Sequence, residues 1–317
     1  MTLSGTFIIV LQLLAGFILL LFGGDWLVNA GVAIARRFRI SPLVIGLTIV
    51  AFGTSAPELL VSTISAFEGN SGIAMGNVIG SNIANIGLIL GLTALICPIV
   101  VTGMKEVASN GLVMTGASVL LLLLSLNGKL SRIEGILLFL LIMTYTIISI
   151  RNGRRNGSPV SDKMDASMRP LAAFLLLILS CAMLSYGADL LVKGASSLAS
   201  TLGVSDKVIG LTVVAFGTSL PELAASVAAA LKKQMDISIG NIVGSNIFNI
   251  LCVLGVSCSI TPITFQFSTY LSDLIIMLAF AVVLVLMVQP WKQTGKLSRL
   301  SGLILFLGYA AYAWSLF

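Results

Sequence analysis

Of the 317 residues, 57% are hydrophobic and only 9% are charged, and the mean hydropathy is +1.09. A soluble globular domain usually carries roughly a quarter charged residues, so this composition excludes one and points to a polytopic membrane protein. The chain has no histidine, which excludes a Ser-His or Cys-His catalytic pair and disfavours a transition-metal site.

Apolar runs of the ~20 residues needed to cross a bilayer are predicted ten times: Phe7 to Ala35, Leu43 to Phe67, Ile73 to Val101, Val107 to Leu126, Ile133 to Ile150, Leu171 to Leu198, Val208 to Leu231, Ile237 to Ile260, Tyr270 to Val288 and Leu297 to Leu316. They read as helices, because an open sheet edge finds no partner in lipid. The first run lacks the basic leader and small-residue cleavage site of a secretory signal and is expected to be retained as a span. Counting the loops between runs, one side holds Arg36, Arg37, Arg39, Lys105, Arg151, Arg154, Arg155, Lys163, Arg169, Lys232, Lys233, Lys292, Lys296 and Arg299, and the other only Lys129, Arg132, Lys193 and Lys207. By the positive-inside rule the crowded side is cytoplasmic and both termini lie outside the cell (inner) membrane. The net charge of +6 is thereby explained by topology, without a nucleic-acid partner.

A shift of 164 residues aligns Gly23 with Gly187, Asp25 with Asp189, Glu58 with Glu222, Gly76 with Gly240 and Asn85 with Asn249, without a gap. Val44-Ile45-Gly46-Leu47-Thr48 recurs as Val208-Ile209-Gly210-Leu211-Thr212, and Gly76-Asn77-Val78-Ile79-Gly80-Ser81-Asn82 as Gly240-Asn241-Ile242-Val243-Gly244-Ser245-Asn246. Five helices per half is an odd number, so the second half enters the membrane from the opposite side. The predicted fold is an all-α integral membrane protein of ten transmembrane helices in two inverted five-helix repeats, residues 1–150 and 171–317, joined by a cytoplasmic linker over 151–170.

The second run contains Gly53-Thr54-Ser55-Ala56-Pro57-Glu58, and the seventh repeats it as Gly217-Thr218-Ser219-Leu220-Pro221-Glu222. An ionised side chain at that depth is costly, and proline withholds a backbone donor from the carbonyl four residues earlier. A kink whose hydroxyls bond back to their own helix would explain Thr54 or Ser55, but leaves the glutamates without a reason. In the third run Ser81 and Asn85, four apart, share a helix face, and Ser245 and Asn249 repeat them; packing between helices is the plainer role for such residues. Carboxylates, hydroxyls, amides and freed carbonyls are all oxygen ligands, and an oxygen cage suits Ca²⁺ or Na⁺ better than Mg²⁺. The aspartates Asp25 and Asp189 fall at opposite depths, which argues against a two-aspartate hydrolase, and Lys193 stands four residues beyond Asp189. Asp273 is expected to complement free amides at a helix start, and Cys97, Cys181, Cys252 and Cys258 to pack as small hydrophobes.

The duplicated Gly-Thr-Ser-x-Pro-Glu and Gly-Asn-x-x-Gly-Ser-Asn blocks resemble the two alpha-repeats of the calcium:cation antiporter superfamily, and most closely its prokaryotic sodium/calcium exchangers. The resemblance implies that Glu58 and Glu222 are shared Ca²⁺ and Na⁺ ligands. It further implies that Ala51, Thr54, Ala215 and Thr218 lend backbone or hydroxyl oxygens, that Ser55, Ser81, Ser219 and Ser245 complete flanking Na⁺ sites, and that Asn85 and Asn249 line the centre. Asn249 stands where potassium-carrying relatives have aspartate, so K⁺ dependence is not expected. The implied activity is Na⁺/Ca²⁺ exchange by alternating access, not enzymatic, with the two ions as substrates, the lipid bilayer as surroundings, and no cofactor or protein partner. Three Na⁺ against one Ca²⁺ would make it electrogenic. Ca²⁺/H⁺ antiport on the same fold is the alternative, and an intramembrane hydrolase is the less favoured class.

Overall fold

The computed structural model describes residues 3–101, 104–155, 168–203, 215–288 and 295–316. The two longest described helices are α1 (Leu3–Phe38, 36 residues) and α7 (Pro170–Thr201, 32 residues). At ~1.5 Å per residue each outruns a hydrocarbon core of about 30 Å, so each tilts in the bilayer or extends beyond it. Helix α7 opens on Pro170, whose fixed φ and missing N–H suit the first helical position. The pair crosses where both chains lack a side chain. A Cβ on Gly16 would fall 2.7 Å from the Gly187 carbonyl oxygen, and one on Gly187 would fall 3.0 Å from that of Gly16, an approach that only small residues permit.

The second apolar run is a broken span. Helix α2 (Pro42–Thr54) starts at Ser41, whose Oγ accepts the Val44 N–H at 3.3 Å, and widens to a π-helical turn over Gly46–Val50. Ser55, at φ −83° and ψ 8°, interrupts it, and α3 (Ala56–Phe67) continues at a bend of 46°. Pro57 lies in the first turn of α3, where the lost N–H costs least. In the second half a short turn, Ala215–Gly217, precedes α8 (Leu220–Leu231) with Ser219 in the same conformation, φ −89° and ψ 3°.

At the centre stand α4 (Ser71–Ile96) and α9 (Met235–Ile260). Each carries a π-helical turn beginning at its asparagine, Asn85–Leu90 and Asn249–Val253. Such turns interrupt the regular ladder and recur at functional sites. Around them lie α5 (Met104–Leu124), α6 (Arg132–Arg155), α10 (Phe267–Val288) and α11 (Arg299–Ser315). Helix α9 meets α2 backbone to backbone: a Cβ on Gly240 would sit 2.6 Å from the Leu43 oxygen, and one on Gly244 2.6 Å from that of Leu47. Two antiparallel ribbons join the halves, β1 (Ile99–Val101) with β4 (Gly295–Leu297), and β2 (Lys129–Leu130) with β3 (Ile263–Thr264). The buried apolar residues form two clusters. One centres on α4 and α9, and the other joins α1 and α7 to α2 and α8.

Among the described residues, seven helices are long and apolar enough to cross a membrane singly, and the bent pair α2–α3 makes an eighth. Helix α11 has 17 residues and α8 has 12. The expected run Val208 to Leu231 is described only from Ala215; the block Val208 to Thr212 and linker residues 156–167 lie outside the described residues. Asp273 differs from its expected place: α10 begins six residues earlier, which puts the carboxylate beyond reach of the first-turn amides.

Candidate cation-binding site

Breaking both helices at Ser55 and Ser219 turns Glu58 and Glu222 into first-turn residues of α3 and α8, so each carboxylate enters the interior beside unsatisfied helix-terminal amides. Both are buried, 1% and 0% exposed, and among the described residues neither forms an ion pair with lysine or arginine. Glu222 Oε1 accepts a hydrogen bond from Ser55 Oγ at 3.0 Å, while Glu222 Oε2 and both oxygens of Glu58 have no partner. An unpaired buried carboxylate costs several kcal/mol, and two of them in one interior call for positive charge.

The neutral groups around them come from both halves. Thr54 Oγ1 lies 3.1 Å from Asn241 Oδ1, 3.3 Å from the Ala51 carbonyl oxygen and 3.4 Å from Ser245 Oγ. Ser81 Oγ accepts Asn249 Nδ2 at 3.0 Å and donates to the Val78 carbonyl at 3.2 Å. Asn249 Oδ1, both polar atoms of Asn85 and Ser219 Oγ are buried and unpartnered. Thr218 is half-buried one residue before the break. Ala215 begins the short turn ahead of it. The structure therefore joins Thr54, Ser55, Ser81, Glu222, Ser245 and Asn249 across the two halves by hydrogen bonds, and leaves Glu58, Asn85 and Ser219 with their polar atoms unmet. Oxygens without donors near two buried carboxylates are unusual for a packed core and are of the chemistry that a hard cation takes.

Two asparagines not singled out as ligands hold the site in shape. Asn77 Nδ2 donates to the Glu58 carbonyl at 3.2 Å and to Ser62 Oγ at 2.8 Å; Asn241 Nδ2 donates to the Glu222 carbonyl at 3.4 Å and to Ser226 Oγ at 3.0 Å. The signal was available: Ser62 and Ser226, like Asn77 and Asn241, stand 164 residues apart. The glycines before the breaks have a packing reason as well. A Cβ on Gly53 would fall 2.4 Å from Cys181 Sγ, and one on Gly217 2.0 Å from Val192 Cγ2, so α7 presses on both breaks. Outside the interior, the predicted Asp189 to Lys193 contact is present, with Nζ 2.7 Å from Oδ2.

Unpaired carboxylates and neutral oxygens inside a helical membrane bundle are the chemistry of a cation transporter. Residues 8–151 and 172–317 each match the sodium/calcium exchanger protein family, and the chain belongs to that family. It is 34% identical to the sodium/calcium exchanger MaX1 of Methanosarcina acetivorans over 97% of this chain and 98% of that protein. It is 35% identical to the inner membrane protein YrbG of Escherichia coli over 95% and 94%. A solved structure of the sodium-calcium exchanger NCX_Mj, soaked with 10 mM Na⁺ and zero Ca²⁺, superposes with a TM-score of 0.84 at 35% identity, covering 98% of this chain and all of that one. The chain is accordingly a cation/Ca²⁺ antiporter of the multi-pass membrane class.

Proposed function

We propose that this protein exchanges Na⁺ for Ca²⁺ at one site reached alternately from the two sides, with ten spans in two inverted halves, 1–150 and 171–317, around the linker 151–170, and both termini outside. The observation that carries the reading is the pair Glu58 and Glu222, buried and without a basic partner. Each carboxylate is compensated only when a cation is bound, so the empty site reorients poorly. Leak is thereby disfavoured and obligatory exchange favoured. Glu58 and Glu222 serve both ions. Thr54, Thr218 and the carbonyls of Ala51 and Ala215 lend oxygens, Ser55, Ser81, Ser219 and Ser245 complete the Na⁺ positions, and Asn85 and Asn249 line the centre. The names of the exchangers to which the chain is similar support sodium as the coupling ion.

With two carboxylates balancing one Ca²⁺ and three Na⁺ taking its place, one turnover moves a net positive charge in the Na⁺ direction. That charge is worth ~2.3 kcal/mol per 100 mV, so an inside-negative potential favours Na⁺ entry and Ca²⁺ exit. The test is ⁴⁵Ca²⁺ uptake into sodium-loaded proteoliposomes against an imposed Na⁺ gradient or a pH gradient. Uptake driven by Na⁺ and accelerated by an inside-positive diffusion potential is expected. Uptake that follows pH without Na⁺ replaces this reading with Ca²⁺/H⁺ antiport, and indifference to potential makes the exchange electroneutral.

A further inference from the structure

The two carboxylate-bearing helices end in the same turn. After α3, Glu68 donates its N–H to Ile64 O, Gly69 to Ala66 O and Asn70 to Ser65 O; after α8, Lys232 donates to Ala228 O, Lys233 to Ala230 O and Gln234 to Ala229 O. Gly69 and Lys233 share the left-handed conformation, at φ 81° and 60°. Glu68 and Lys232 are thus held alike by the backbone, 164 residues apart, with opposite charge.

Their surroundings differ. Lys232 Nζ lies 2.6 Å from Asp25 Oδ1, 2.9 Å from the Asp25 carbonyl oxygen and 2.7 Å from Asn29 Oδ1, with Asn29 Nδ2 3.2 Å from Asp25 Oδ2. This contact seals the junction of α1 with α8, where a Cβ on Gly24 would fall 2.8 Å from the Ala224 carbonyl oxygen. The equivalent junction would place α7 against α3. There the shift maps Asp25 to Asp189, Asn29 to Lys193 and Lys232 to Glu68. That junction does not close as the first one does: α7 packs on α1 and α8 with no comparable packing on α3, Leu60 and Ile64 are 62% and 54% exposed, and no ion pair joins Glu68 to Lys193. Lys193 is instead held by Asp189 on its own helix.

We propose that Lys232 with Asp25 and Asn29, and Glu68 with Lys193 and Asp189, are two alternating latches, one for each side of the membrane. When the α1–α8 latch opens, α7 swings onto α3 and Lys193 exchanges an intrahelical partner for Glu68. The bulkier Leu60 and Ile64, in place of Ala224 and Ala228, keep the second junction wider, and the longer Lys193, in place of Asn29, supplies the added reach. Half-exposed ion pairs contribute little to static stability, which suits a contact that must break in every cycle.

The proposal rests on the alternating-access reading above, and wild-type ⁴⁵Ca²⁺ uptake tests that reading separately. In full-length protein with the four native cysteines replaced by alanine, Asp25→Cys/Lys232→Cys and Glu68→Cys/Lys193→Cys are treated in proteoliposomes with a bis-methanethiosulfonate about as long as the lost lysine side chain, since a direct disulfide is too short for either contact, in Na⁺, in Ca²⁺ and in neither. Both pairs are expected to join, each joining is expected to stop exchange at least tenfold, and reduction to restore it. Combined in one molecule, either bridge should prevent the other. With the native cysteines kept, Glu68→Lys should slow exchange at least threefold and Glu68→Lys/Lys193→Glu return it to within twofold of wild type. A Glu68–Lys193 bridge that leaves exchange intact overturns the proposal. So does its failure to form under every ionic condition together with wild-type exchange by Glu68→Lys.

Discussion

Glu58 and Glu222 lie in almost identical hexapeptides, yet only Glu222 receives a side-chain hydrogen bond, from Ser55 of the opposite half. Ser219, the counterpart of Ser55, is equally buried and bonds to nothing. Likewise Asn241 is fully buried and touches Thr54 across the interface, whereas Asn77 is half-buried. Duplicated sequence therefore does not give duplicated chemistry at any one moment. One conformation must break the symmetry, because a site open equally to both sides would be a leak.

The largest effect should come from removing either charge. Glu58→Gln and Glu222→Gln are each expected to lower ⁴⁵Ca²⁺ exchange more than tenfold at near-normal expression, the equivalent of at least ~1.4 kcal/mol of binding. A rate above about half of wild type in either variant would break the comparison at its root. Next come the positioning amides. Asn241→Ala takes the donor from Ser226 Oγ and the second bond from the Glu222 carbonyl in a fully buried place, and an unmet buried group costs about 1–3 kcal/mol. Its apparent Ca²⁺ affinity should fall several-fold, and that of the more accessible Asn77→Ala by less. Equal losses would show that burial does not separate the halves.

A smaller difference separates the serines. Ser55→Ala removes a hydrogen bond to a carboxylate, whereas Ser219→Ala removes an unpaired hydroxyl, so half-saturating Na⁺ should shift more in the first variant, by roughly threefold or more if the net bond is worth ~1 kcal/mol. The smallest expected effect is none: uptake by the wild type should be indifferent to K⁺. Asn249→Asp puts a carboxylate where an amide now donates to Ser81, and should introduce a K⁺ or H⁺ dependence or slow release of the ion. Potassium-stimulated uptake by the wild type contradicts the role given to Asn249.

The candidate site was legible because its residues are costly. A glutamate and a proline inside an apolar run have no bland explanation, and finding them twice at one shift removes chance. What the sequence concealed is contact across the halves, since spacing along one helix says nothing about which serine meets which glutamate. Spacings of three and four turn most of Ala51, Thr54, Ser55 and Glu58 one way only if the helix persists there; the chain instead breaks at Ser55 with a bend of 46°, and Thr54 and Ser55 bond to partners in the other half. Lys232 read as one more basic residue of a loop, and only its distance to Asp25 reveals the latch. Asn77 and Asn241 were visible in the repeated motif, yet nothing in an amide's identity says that it grips a backbone carbonyl.

Nearly every extensive packing surface joins one half to the other: α1 with α7, α6 with α9, α5 with α10, α4 with α11, and both β ribbons. Over the described residues, neither half is therefore a folding unit with a core of its own. Expressed as two polypeptides divided between residues 155 and 168, the halves should find each other in the bilayer and exchange ions, provided that they insert in opposite orientations. On the proposed ten-span reading, a single five-helix ancestor could have met the same requirement only by inserting both ways and pairing with itself. On the proposed topology, the scarcity of lysine and arginine in the loops of one side fits each copy having settled on one orientation after a duplication.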